Sequence, residues 1–165
     1  MKFLGLFMIV FFISVQTMDL DTVRQSYKEA AQDHSKIETF YNMVSKVTKS
    51  DIIELVAYKG AAIALKARGA ATIKEKKEGF VNAVSLVEFA VEKDPSNIEI
   101  RFIRISIQEN TPKLLKYKDA IEADKHFILN QFKTIKAGLL KNLIKDYISQ
   151  SKVFTNEEKS VILAY

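Results

Sequence analysis

The chain has 165 residues, 48% hydrophobic and 27% charged, with five glycines, two prolines and no cysteine or tryptophan. That suits one folded domain and is too apolar for a chain that stays disordered. Absence of cysteine excludes disulfide scaffolds and Cys-based zinc sites, and scarce Gly and Pro argue against an all-β fold with its many tight turns. The net charge of +5 comes from 25 basic and 20 acidic residues, largely interleaved, and only Arg24, Arg68, Arg101 and Arg104 are arginines. Nucleic-acid readers gather Arg and Lys on one face beside base-reading groups, so nucleic acid is disfavoured as a partner.

Met1 and Lys2 precede an uncharged, mostly apolar run over residues 3–15, which leads into Gln16 and Thr17. A spanning helix needs about 20 apolar residues. A positive start, a shorter apolar run and a polar exit instead predict a cleavable secretory signal over residues 1–17. The expected mature chain, residues 18–165, is then a single exported domain, periplasmic or extracellular, with net charge +4 and no stable membrane span.

Leu20, Val23, Tyr27, Ala30 and Ala31 follow steps of three and four and predict a first helix. Ser35 is a candidate cap for a second, with Ile37, Phe40, Tyr41 and Val44 inward. Thr48 and Asp51 resemble a capping box before a helix from Ile52 to about Arg68, which Gly69 can end in a left-handed conformation. A long helix follows, with Ile73, Phe80, Val84, Val87 and Val91 on its apolar side and Asp94 and Pro95 at its close.

Residues 98–108 begin in alternation, as a strand would, but the alternation fails at the adjacent Phe102 and Ile103. At 100° per residue they resolve into two apolar flanks separated by two polar edges: Arg101, Arg104 and Gln108 on one, Glu99, Ser106 and Asn110 on the other. This predicts a helix packed between neighbours on both sides. Thr111 and Pro112 break it; helices are then expected over 119–132 and 135–148, and Thr155 with Glu158 caps a last one carrying Val161, Ile162 and Leu163. Seven or eight helices joined by short turns make an all-α domain.

Ala83, Ala90 and Pro95 stand at the spacing Ala-x6-Ala-x4-Pro, which resembles the second half of a tetratricopeptide (TPR) repeat, where small residues let paired helices approach. The first-helix positions of that repeat are not met, and no second copy at 34 residues is visible. The leader, Val23-Arg24, Ala57-Tyr58-Lys59-Gly60-Ala61, Glu75-Lys76-Lys77 and residues 97–115 together are similar to a group of secreted, TPR-like helical proteins from Bacteroidota. The resemblance implies export and an all-α helical-repeat fold, antiparallel helical hairpins in a TPR-like right-handed superhelix or bundle; it carries no catalytic or ligand residues.

Glu122 and His126 share a helix face at i, i+4, but two ligands do not make a metal site. No nucleophile elbow, phosphate loop, dinucleotide fingerprint or His-Glu-x-x-His occurs, so no catalytic residue, cofactor or metal is expected. Arg101, Arg104 and Gln108 form the most suggestive polar stripe, with Asn110, Lys113, Tyr58 and Lys59 as possible neighbours. Such a stripe can hold an anion in a groove, or pair internally with Glu75, Glu78 or another acid and fix helix registry. Lys141, Lys145 and Lys152 fall in a narrow arc that suits anionic headgroups or simply a solvated face. Two functions are open: a non-catalytic protein- or peptide-binding module of the cell envelope, or a small secreted enzyme or carrier for an anionic ligand at an Arg-lined groove.

Overall fold

The computed structural model describes residues 18–165; the expected signal over 1–17 lies outside them. Eight α-helices make up the described chain: α1 Leu20–Gln32, α2 Ile37–Val44, α3 Ile53–Arg68, α4 Ile73–Lys93, α5 Ile98–Asn110, α6 Ile121–Gln131, α7 Leu139–Gln150 and α8 Asn156–Leu163. Short 3-10 turns precede α2 and α6 and follow α6, and the described residues contain no strand. The protein is an all-α helical bundle around one apolar cluster that draws on every helix.

Side-chain caps set several helix starts. Asp19 accepts from the N–H groups of Asp21 and Thr22 at α1, and Asn97 from those of Glu99 and Ile100 at α5. Thr155 with Glu158 forms the expected reciprocal box at α8. Thr72 with Glu75 forms a second at α4, from a Thr-x-x-Glu spacing present in the sequence. Ser35 caps nothing: Asp33 accepts from the Ser35 N–H and starts the 3-10 turn, and α2 begins without a side-chain cap. Thr48 and Asp51 close a turn of their own, the Thr48 N–H and hydroxyl both meeting Asp51 Oδ2, and α3 starts uncapped after Ile52, which is exposed.

The tightest pairing is the α3–α4 hairpin. A Cβ at Gly60 would stand 2.6 Å from Val87 Cγ2 and 2.9 Å from the Ala83 carbonyl oxygen; one at Gly79 would stand 2.7 Å from Ala67 Cβ. The contacts widen in sequence away from the turn, as antiparallel helices require. Ala83 and Ala90 are fully buried, and it is Gly60, rather than a TPR first-helix position, that stands opposite Ala83 in the α3–α4 contact. Gly69 ends α3 at φ −88°, an ordinary right-handed value, so its expected left-handed role is wrong.

Other expectations shift at helix ends and flanks. Ile73 does not join the apolar side of α4; it is 87% exposed in the first turn, before the helix meets its neighbours. Ile162 alone of the Val161–Ile162–Leu163 trio is buried, because α8 rests on the bundle by one edge. The expected helix from residue 135 starts only at Leu139, since Gly138, at φ 153°, interrupts the helical path.

Candidate functional site: the polar faces of α5

Helix α5 is the central element. It packs against α3, α4, α6 and α7, and eight of its thirteen residues are buried, four of them polar: Glu99, Arg104, Ser106 and Gln108. A helix enclosed on all sides must satisfy every polar group it buries within the protein, or pay the cost of leaving it unpaired. The two polar edges read from the sequence are therefore where functional chemistry and structural pairing compete.

On the first edge the arginines surround one carboxylate. Arg104 donates from Nε to Asp124 Oδ2 and from Nη2 to Oδ1, both at 2.7 Å, and from Nη1 to Glu88 Oε2 at 2.9 Å. Arg101 donates from Nη1 to the same Asp124 Oδ1 at 2.9 Å, and from Nε and Nη2 to the Pro95 carbonyl at 3.0 and 2.9 Å. Asp124, on α6, is fully buried. Tyr117 donates its hydroxyl to Glu88, and burial together with that acceptor raises the phenol well above its ordinary range. Hydrogen bonds to Asp124 and the nearby Glu88 outweigh burial and hold the Arg104 guanidinium more firmly protonated than usual.

The opposite edge reverses the roles. Glu99 is the buried carboxylate, and α5 supplies it. Arg24 of α1 grips it with a fork, Nε to Oε1 at 2.7 Å and Nη2 to Oε2 at 2.6 Å, while Tyr58 of α3 donates its hydroxyl to Oε1 at 2.7 Å. Burial first, and the Glu99 charge second, push the Tyr58 phenol well up. Ser106, two turns on, shares a 2.7 Å hydrogen bond with the buried Tyr27. At the helix end Glu109 accepts from the Tyr147 hydroxyl, the Ser151 hydroxyl and the Lys152 N–H, fastening α5 to α7 and the segment beyond it.

The structure places each of the residues singled out in the sequence. Arg101 and Arg104 are engaged internally and do not line an open groove; their partners are Asp124 and Glu88, whereas Glu75 closes the α4 capping box and Glu78 lies 3.9 Å from Lys74. Tyr58 belongs to the Glu99 edge, on the far side of α5 from the arginine stripe. Lys59 donates to the Ser45 and Val47 carbonyls at 2.8 and 2.6 Å and ties down the end of α2. Asn110 is exposed and bonds the Ser106 carbonyl, and Lys113 is exposed beyond the helix. The seven residues therefore do not converge on one site. Gln108 is buried with its side-chain oxygen unpartnered.

Glu99, Asp124 and Glu88, which the sequence reading left out of the site, are the groups that organise these clusters. Glu99 stood in the second polar edge and could have been paired with a basic residue; Asp124 carried no signal beyond its spacing in α6. Glu122, the half of the possible metal pair, lies 2.9 Å from Lys125, and His126 is exposed. Among the described residues, no group of three His, Asp or Glu side chains could hold a metal ion. Lys152 lies past the end of α7, so only Lys141 and Lys145 share an arc of that helix.

Comparison with known proteins finds no matching family model, no matching curated protein and no matching solved structure.

Proposed function

We propose that the chain is an exported, TPR-like helical module of the cell envelope that binds a protein or peptide and performs no chemistry itself. Export rests on the charged start and apolar run of residues 3–15. The TPR-like reading rests on the close α3–α4 hairpin and its small residues.

The observation that carries binding is the outer face of α4. Lys74, Lys77, Glu78, Val81, Asn82 and Ser85 line a shallow open depression along it, and Val81 and the nearby Ile73 are 58% and 87% exposed. Exposed apolar side chains rimmed by charges of both signs suit an amphipathic peptide helix laid alongside. The buried arginines and carboxylates, by contrast, are spent on one another and hold the module in shape.

A photo-crosslinking residue at Val81 tests this reading in envelope extract. The expected result is a discrete polypeptide adduct that disappears in the I73D background and is absent when the probe replaces Lys36, exposed between α1 and α2. Equal adducts from both positions would contradict it.

A further inference from the structure

Charge is not spread evenly over the surface. Residues 126–145 contain four lysines and no aspartate or glutamate, although acids and bases alternate almost everywhere else. From Lys133 to Lys152 there are five lysines and one aspartate, so this stretch carries the whole +4 of residues 18–165 and the remainder is neutral.

The fold gathers that excess at one end of the bundle. Lys133 sits in the 3-10 turn after α6, with its ammonium 4.8 Å from the ring centre of Tyr165; Lys141 of α7 lies 5.3 Å from that of Phe132. Lys136 is exposed in the connection to α7, and Lys145 is one turn beyond Lys141. None of the four lysines has an ion-pair partner among the described residues. The acids closest in sequence are engaged elsewhere: Asp146 lies 2.7 Å from Lys28, and Glu158 is 3.6 Å from Lys125. Glu157 is exposed at the N-terminal end of α8, away from Tyr165. Helix α7 also starts on Gly138 with no side-chain cap, so the positive end of its dipole adds to the same potential.

Two features select the partner. The cations are all Lys, hydrated point charges without the planar fork that reads bases or grips a single carboxylate. Beside Lys133, Tyr165 just past the end of α8 is 48% exposed, and Val161, about one turn earlier on α8, is 55% exposed, an aromatic and an aliphatic group of the kind that enters a headgroup layer. We propose that this end of the bundle, through Lys133, Lys136, Lys141 and Lys145, docks on an anionic lipid surface. The lysines lie over the headgroups, and Tyr165 and Val161 enter the interface. This surface is separate from the α4 face and does not depend on the peptide-binding reading.

The test measures the partition of the full chain between anionic vesicles of phosphatidylglycerol with phosphatidylcholine and neutral vesicles of phosphatidylcholine. The ratio of the two cancels whatever residues 3–15 contribute to both. Each lysine near an anionic surface is worth roughly a fivefold gain. The ratio is therefore expected to fall at least tenfold in the K133Q/K136Q/K141Q/K145Q variant and to fall in wild type as salt rises. K133Q/K136Q, which changes only exposed side chains, should lose at least fivefold and serves if the fourfold variant does not fold. A control of equal charge at exposed lysines outside both proposed surfaces, K36Q/K46Q/K76Q/K116Q, should keep the wild-type ratio. Equal losses in control and patch variants, a ratio near one for wild type, or retention on an acidic polypeptide without vesicle binding would each overturn the proposal.

Discussion

The two polar faces of α5 solve one problem with opposite signs. On the Glu99 face the helix contributes the carboxylate and its neighbours the cation; on the Arg101–Arg104 face it contributes the cations, and α6 and α4 the carboxylates. Each face also ends in a tyrosine that donates to a carboxylate, the buried Tyr58 to Glu99 and the half-buried Tyr117 to Glu88. The difference lies in how many charges depend on one partner. Glu99 holds a single arginine, whereas Asp124 holds two, and it is the more deeply enclosed. Pairing of this kind adds little over a well-packed apolar contact, but removing one partner leaves a buried charge exposed to its full desolvation cost.

That asymmetry orders the expected effects. Asp124→Ala removes the carboxylate that both guanidiniums share, leaving Arg104 only Glu88 and Arg101 only the Pro95 carbonyl, and should cost about 3–5 kcal/mol in urea unfolding, the largest loss of any single substitution on α5 or its partners. Glu99→Gln keeps an acceptor for Tyr58 but removes the charge facing Arg24, and a loss of about 2 kcal/mol is expected. If Glu99→Gln proves the more damaging of the two, the ranking of the faces is wrong. Away from either face, Gly60→Ala should cost about 1–3 kcal/mol, because the new methyl meets both the Val87 side chain at 2.6 Å and, at 2.9 Å, the Ala83 carbonyl, which as backbone cannot readily move aside.

The tyrosines sharpen the comparison through pH. Tyr58, Tyr117 and Tyr147 all have phenols raised in the folded state by burial and a carboxylate acceptor. A raised group keeps its proton in the folded chain after the unfolded chain has lost it. Its contribution is therefore complete below the unfolded pKa of about 10 and is lost as pH climbs toward the folded value. Melting temperature should fall above about pH 10, and Tyr58→Phe with Tyr117→Phe should flatten that fall while costing roughly 1 kcal/mol each at neutral pH. An alkaline limb as steep in the double variant as in wild type would remove the tyrosines from the account. In acid the sign reverses. Asp19, Asp51 and Glu75 are held below their usual range by hydrogen bonds at helix starts and turns, so their support is present at neutral pH and lost as they protonate.

The helices were legible because their apolar positions recur at steps of three and four, and α5 was legible as a helix despite its strand-like opening. Even its two polar edges could be drawn on a wheel. What the sequence concealed was which acid answers which base. Arg104 and Asp124, or Arg24 and Glu99, are distant in sequence and meet only once the helices pack, and nothing local distinguishes Asp124 from a solvated aspartate. Ile73 misled for a related reason: periodicity assigns a face, but it does not say how far along a helix the neighbours extend. Gly69 misled because a glycine after a helix signals a left-handed cap, whereas here the backbone stays right-handed and a Cβ would instead crowd His34, 2.8 Å away.

The central claim is that the α5 arginines are structural ties and not a ligand site, and thermal unfolding of the R101A/R104A variant tests it most directly. Loss of about 3 kcal/mol corresponds to a melting temperature lower by roughly 6–12 °C for a chain of this size. A variant that melts with the wild type would contradict the claim and return the arginines to the surface chemistry from which their pairing removes them.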